Sequence, residues 1–512
     1  MITYYTNKKF ETTSPKAYHS PDGHYICIFE GTLINSQDLR EKLEKIGVHI
    51  SYPSTEKIIL ELYRNCCDSF AEELRGKFAV VIFDYERQQL IVARDRYGVC
   101  PLYYKLVDGG ICIASELTEF KFGTRLPLDG LDKLSLWHYF SYGYVPEEDT
   151  YLEKVYHVPA GCLLKYDDIG GIIYNYFADM MVIEGSDQQL VDDQEFKEIV
   201  TESICARIDA NKMVGIFYTG KAEERVLAAI AKQAGCEVKL FSVEFDKRCV
   251  VDEKIEAYLI RQPVSATGYW RAAIDATQVM DVPLADSSAP VDFLLSRLAS
   301  KFVDVILCPD GADVMFGGFG MALDRLKRRT SPIFTENAKE ALLKFEGHPW
   351  KDISDPYLLQ ILDLDSLSRC QTLDLNTRLK GSTVLKSQRL TAHHGLGAEF
   401  PFLDDKILNV ANFLTNDEKK DMFLFKQIFE DEIFKFGKYK KKDIYKIPLA
   451  TWIRTDLYEN IKEVFEQGVV EEFFNTEILF TMLEQHRKGF RDLSRRIWAV
   501  TIFIIWLGKF IK

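Results

Sequence analysis

Over roughly the first 175 residues, apolar positions come in short runs of the length of single strands. Tyr25 to Phe29, Phe78 to Phe83, Gln89 to Ala93 and Gly110 to Ala114 are apolar or β-branched, and polar turns such as Asp84 to Gln88 separate them. Two stretches with helical spacing interrupt them, Ser36 to Ile46 and Thr55 to Asn65, with Ser36 and Ser54 or Thr55 as N-cap candidates. This pattern predicts an α+β domain with a largely antiparallel sheet. The polar, acidic stretch Glu184 to Glu195 has no core-forming period and reads as a domain boundary. Beyond it strands and helices alternate. Met213 to Tyr218, Glu237 to Val243 and Val303 to Leu307 read as strands, and Glu224 to Ala234 and Val251 to Ile260 as helices. Such alternation predicts a doubly wound parallel sheet, and after about residue 330 the pattern is mainly helical.

Composition narrows the class. The 512 residues are 47% hydrophobic and 28% charged, which is ordinary for a globular chain of two or three domains. A net charge of -13 argues against a general nucleic-acid binder. The most apolar stretch, Ile497 to Phe510, is shorter than the roughly 20 residues of a membrane-spanning helix and is expected to be a buried terminal helix. The N-terminal segment has no apolar core of a secretory signal. The 11 cysteines include no CxxC, and several lie inside apolar runs. A reducing cytoplasm, with cysteine used as a small hydrophobe, is the expectation.

Ligands of doubly wound sheets bind beyond the carboxyl ends of the strands. Two such ends carry chemistry here. The first is Tyr218-Thr219-Gly220-Lys221-Ala222-Glu223-Glu224-Arg225, where a glycine permits close backbone approach to a phosphate and a helix N-terminus follows. On this segment alone a plain strand–helix turn is the stronger reading. The second is Cys308-Pro309-Asp310-Gly311-Ala312-Asp313, whose carboxylates suit Mg²⁺, or simply an acidic solvated turn.

Taken together, the segments resemble the asparagine synthetase family of N-type ATP pyrophosphatases, which includes β-lactam synthetases and lasso-peptide cyclases. LRGKFAVVIFD (Leu74 to Asp84), ARDRYGVCPLYY (Ala93 to Tyr104) and IASE (Ile113 to Glu116) resemble the family's glutaminase-type domain. DVPLADSSAP (Asp281 to Pro290), DGADVMFGGF (Asp310 to Phe319), EFPFLD (Glu399 to Asp404) and IPLATWIR (Ile447 to Arg454) resemble its synthetase blocks. The resemblance implies an Ntn-hydrolase-like sandwich over residues 1–180 and an α/β ATP pyrophosphatase domain with a helical C-terminal region over residues 198–512. It implies ATP and Mg²⁺, a small-molecule or peptide carboxylate substrate, an amine acceptor, and a homodimer at family level. No membrane partner is expected.

Departures from the family pattern carry the functional question. A family glutaminase begins Met-Cys-Gly, whereas this chain has Ile2, whose aliphatic side chain cannot attack an amide. The glutamine-cradling N-G-E-I-Y-N segment is Glu30-Gly31-Thr32-Leu33-Ile34-Asn35. No glutaminase activity is expected. The phosphate loop S-G-G-x-D-S is Thr219-Gly220-Lys221-Ala222-Glu223-Glu224. The resemblance assigns Thr219, Gly220, Lys221, Val243, Asp310 and Gly311 to the nucleotide and Glu223 and Asp313 to the metal. Asp286 and Arg378 fall to substrate or loop orientation, and Lys442 to the charge that develops as pyrophosphate leaves. Lys442 lies in Lys438-Tyr439-Lys440-Lys441-Lys442, a run that reads equally as a solvated basic face. Glu224 places a carboxylate where a phosphate-binding hydroxyl is expected. Val314 and Gly397 stand where the family has acidic residues.

Two readings follow. In one, the chain is an ATP-dependent amide-forming ligase that adenylates a carboxylate and does not hydrolyse glutamine. In the other, it is a catalytically inert homologue that binds, regulates or scaffolds an active protein partner.

Overall fold

The computed structural model describes residues 2–6, 9–50, 54–120, 130–167, 171–176, 181–183, 192–245, 252–318, 332–345, 363–438 and 446–511. The described chain forms two compact units. One holds residues 1–132 and 146–181, and the other holds Lys133–Val145 and Val182–Lys512.

The first unit contains β1 (Ile2–Thr6), β2 (Lys9–Thr12), β3 (Tyr18–His19), β4 (Tyr25–Leu33), β5 (Gly76–Asp84), β6 (Gln89–Arg94), β7 (Tyr103–Val107), β8 (Gly110–Ala114), β9 (Tyr156–His157), β10 (Cys162–Asp167) and β11 (Gly171–Tyr176). They make two antiparallel sheets, in the orders β2-β1-β8-β7-β9 and β11-β10-β6-β5-β4-β3. Strand alternation explains the layering. Ile26, Ile28, Ala79, Val81 and Phe83 of the larger sheet pack with Ile111 and Ile113 from the smaller one and with Leu102 just before β7. Cys27, Phe29, Val80 and Ile82 point the other way, onto Leu39, Leu43, Ile59 and Leu62 of the helices Ser36–Lys45 and Thr55–Cys66. The expected strands and helices of this unit are therefore present, and most extend beyond their apolar runs. Ser54 caps the second helix, its hydroxyl accepting from Lys57 N at 3.3 Å. The first helix is capped at Asn35 rather than Ser36, without a side-chain cap bond.

The second unit contains β12 (Met213–Phe217), β13 (Glu237–Glu244), β14 (Leu259–Pro263), β15 (Val305–Leu307) and β16 (Gly397–Glu399). They form one parallel sheet in the order β14-β13-β12-β15-β16. The expected helix Val251 to Ile260 is corrected here. Helix spans only Glu253–Glu256, with Ile255 as its buried residue, and Leu259 and Ile260 pair with Leu240 and Phe241 as part of β14. Tertiary pairing at the sheet edge outweighs the local helical spacing. The terminal helix Ser494–Ile511 buries Ile497, Trp498, Phe503 and Trp506 as expected. No described helix is long and apolar enough to cross a membrane.

Candidate functional site

The chain runs outward from β12 to β13 and β14, then returns to place β15 on the other side of β12. Strand order reverses between β12 and β15, which is where doubly wound sheets open a ligand crevice. Both chemical segments leave the carboxyl ends of these two strands.

After β12, Tyr218 is buried and its ring hydroxyl accepts from Arg225 Nε at 3.1 Å. Gly220 has φ +102°, a conformation costly for other residues. The backbone N–H groups of Thr219, Gly220 and Lys221 converge on one point. That point is Glu224 Oε2, at 2.8, 2.8 and 3.1 Å. The Thr219 hydroxyl donates to Glu224 Oε1 at 2.6 Å. Glu224 is 2% exposed. It is residue N3 of the helix Ala222–Gln233, whose N-cap is Lys221. Burial pushes its carboxyl upward in pKa, against Lys221 and the donors from Thr219 and Gly220.

Glu223 is also buried, and burial raises its pKa to about 7 against the pull of Lys221, with Glu224 and Asp313 adding to the rise. Lys221 Nζ stands 4.0 Å from Glu223 Oε1. Asp313 sits in the first turn of the short helix Ala312–Phe316 after β15. Gly311 begins that helix at φ +97°, and a Cβ there would lie 2.5 Å from Leu403 Cδ2. Asp310 accepts from Ser387 Oγ at 2.8 Å. Burial lifts its pKa to about 6, with Asp292 and Asp313 adding to the rise against Lys386.

Asp286 and Arg378 hold different positions from one another. Lys386, buried, donates from Nζ to Asp286 Oδ2 at 2.8 Å and pairs with Asp292 Oδ2 at 2.7 Å. Burial opposes ionisation of Asp286, but Lys386 wins and holds it at about 2. Arg378 lies in the π-helical segment Leu375–Val384 and makes a two-pronged pair with Asp374, at 2.7 Å for each bond. Against burial, Asp374 and then Asp313 keep its guanidinium charged. Val243 is buried in β13 opposite Gln262, with Ser242 Oγ donating to Tyr218 O at 2.9 Å. Lys442 lies outside the described residues. The segment before it is anchored by Arg225, which donates to the carbonyls of Ile433, Gly437 and Lys438 at 2.9 to 3.1 Å. Sequence reasoning missed Arg225 and the Lys386 hub. Neither stands out from the other charged residues of its own helix.

The donor chemistry can be tested against ATP and Mg²⁺. Mg²⁺ is typically held by one or two carboxylates plus phosphate oxygens, and Glu223 with Asp313 is a set of that kind. Among the described residues there is no group of three or more His, Cys, Asp or Glu side chains poised around a metal. Phosphates do not fit the loop as arranged, because its N–H donors already serve Glu224.

In the first unit, the backbone of Ile2 lies in β1 opposite Ala114. Glu30 is exposed, and Asn35 is used structurally, donating to Glu73 O at 2.9 Å and accepting from Arg75 N at 3.1 Å. The ARDRYGVC motif is a packing element. Asp95 accepts from the N–H groups of Phe78, Tyr97, Val99 and Cys100, and Arg94 pairs with Glu147 at 2.8 Å.

A glutamine amidotransferase domain model matches residues 11–177, and an asparagine synthase model matches residues 195–508. Asparagine synthetase (glutamine-hydrolyzing) 1 of Bacillus subtilis (strain 168) is 25% identical over 544 residues, covering 95% of this chain and 85% of the relative. A putative asparagine synthetase (glutamine-hydrolyzing) of Mycobacterium bovis is 25% identical over 565 residues, covering 96% and 85%. The solved structure of a glutamine phosphoribosylpyrophosphate amidotransferase from B. subtilis aligns with 51% of this chain and 53% of its own at 16% identity, with a TM-score of 0.23, too low to carry a comparison of folds. An asparagine synthase match across most of the second unit, in a chain whose strand order opens a crevice between β12 and β15, settles the family: this chain belongs to the asparagine synthase family.

Proposed function

We propose that the chain is an ATP-dependent, amide-bond-forming ligase that activates a carboxylate, takes ammonia or an amine as acceptor, and does not hydrolyse glutamine. Family membership supports the ligase class. The feature that supports it in this chain is that Glu223 and Asp313 each lie in the first turn of the helix that follows β12 or β15, the two strands at the switch point. One or two carboxylates are what a divalent cation bound with nucleotide phosphates typically takes. Ile2 and Glu30 support the absence of glutaminase chemistry, since neither supplies a thiol nucleophile or a neutral amide for glutamine.

The test is substrate-dependent pyrophosphate release by the purified full chain with ATP and Mg²⁺. A panel of carboxylates is offered with ammonium or amines. Release that requires a carboxylate is the expected result, and glutamine incubated alone should give no glutamate. Pyrophosphate release that no carboxylate stimulates overturns the ligase assignment, and glutamate formation overturns the second half.

One observation favours the other reading, an inert homologue acting through a protein partner. It is the closure of the phosphate loop by Glu224. Absence of nucleotide binding by every form of the chain would favour it over the ligase reading.

A further inference from the structure

A helix cap needs little from its N3 residue. In a capping box, the N3 side chain accepts from the N-cap N–H alone. Glu224 does more. Its two oxygens take three successive backbone N–H groups, of Thr219, Gly220 and Lys221, and the Thr219 hydroxyl. Successive N–H groups converging on a point form an anion-binding nest, and the N-terminus of the 12-residue helix Ala222–Gln233 adds to its attraction for negative charge. Gly220 keeps the positive φ that this convergence needs. The cradle is therefore intact, and it is filled from within. A serine at this position, as in the family loop, is too short to reach back to those donors.

We propose that Glu224 is a built-in stand-in for a phosphate, an autoinhibitory contact that closes the synthetase loop until it is displaced. The proposal rests on the ligase reading above and names the regulation of that same site. Each N–H has one hydrogen to give, so a phosphate oxygen and Glu224 Oε2 cannot both be served. Their like charges exclude each other as well. The competition is intramolecular, so nucleotide phosphates gain these donors only by displacing the carboxylate, which weakens their binding. Displacement of the Glu224 side chain frees all four donors. Lys221, with its side chain 53% exposed and its ammonium 4.0 Å from Glu223, stands beside the loop as a counter-charge for the phosphates that replace the carboxylate.

The experiment compares the full-length wild type with Glu224→Ser and with Glu224→Gln, the isosteric neutral form. Isothermal titration uses two probes, inorganic pyrophosphate with Mg²⁺ and ATP with Mg²⁺. Thermal melts establish that each variant is folded, and Glu224→Gln carries the comparison if the serine variant loses its cooperative melt. The expected result is binding on the order of tenfold tighter or more in the variants than in the wild type, for both probes. Equal binding of ATP–Mg²⁺ by wild type and variants overturns the inhibitory contact and leaves the ligase reading standing. No binding of either probe by any folded form overturns the ligase reading, and the contact falls with it.

Discussion

The ammonium of Lys419 is fully buried and, among the described residues, makes no hydrogen bond. It lies against the C-terminal end of the short helix that carries Asp313, where a Cβ on Gly317 would meet Lys419 Cβ at 2.8 Å. Burial lowers its pKa to about 8, against Asp365 and Glu418. The unfolded chain, with an ordinary lysine, binds more protons between pH 8 and about 10.5, so stability rises with pH across that window. The rise is at most about 3 kcal/mol. Lys419→Met should flatten this slope and stabilise the chain at neutral pH, as read by urea melts at pH 7, 9 and 10. A slope unchanged in the variant would place the titration elsewhere. Lys386 is the opposite case. Lys386→Met strips the counter-charge from Asp286 and Asp292 and should cost about 3 kcal/mol at pH 7. The cost should shrink on acidification, as the two carboxyls are protonated instead. Both lysines were opaque in the sequence, because nothing in one residue's neighbours along the chain says which side chains will surround it. Glu224 was half legible: its identity at the loop marked a conflict with phosphate, but only the fold shows it reaching back to three N–H groups.

At the scale of elements, the most legible pieces were those whose own pattern decides their structure. The run Phe78 to Phe83 lies within β5, and its alternation divides the residues between the two faces of the larger sheet. Ser54 opens a helix that its spacing announces, and Ser54→Ala should cost about 1 kcal/mol, measurable by denaturant melts. Segments whose partners are distant were less legible. Leu259 and Ile260 have helical spacing from Val251 onward, yet the edge of β13 recruits them as a strand. The resemblance located position 2 as the missing nucleophile, and β1 shows where its backbone runs, against Ala114. A thiol alone is not a glutaminase, however. On the resemblance, Glu30 stands where a glutaminase has a cradling asparagine, and Asn35 is committed to Glu73 and Arg75. Ile2→Cys should therefore release no more glutamate from glutamine than the wild type does. Restored hydrolysis would show that the glutamine cradle survived without its asparagine.

At the scale of the whole molecule, compactness does not follow the order of the sequence. The polar stretch Glu184 to Glu195 separates two composition patterns, yet the helix Lys133–Tyr142, far upstream of it, belongs to the second unit. Its sequence explains why it needs a deep site. Leu136, Trp137, Tyr139 and Phe140 are all buried, so no face of the helix is left for water. Phe140 packs edge-on to Phe503 and Phe474, with ring centres 5.3 and 5.6 Å apart, and Tyr139 donates to the carbonyl of Ala499 at 2.8 Å. Phe503 and Ala499 are on the terminal helix and Phe474 lies before it, all far away in sequence, the Tyr139–Ala499 separation being 360 residues. A fragment cut at Asp192 would keep every residue of the parallel sheet and of the loop at Thr219 but lose this helix. Each large apolar side chain removed takes about 1.5–3 kcal/mol of burial with it, and Phe503 and Phe474 would lose their contact with Phe140. Such a fragment should melt well below the intact chain or aggregate, and it should recover a cooperative transition when residues 130–146 are fused back through a flexible linker. If the bare fragment instead melts cooperatively at the temperature of the full chain's second unit, the helix is an ornament on that unit rather than part of its core.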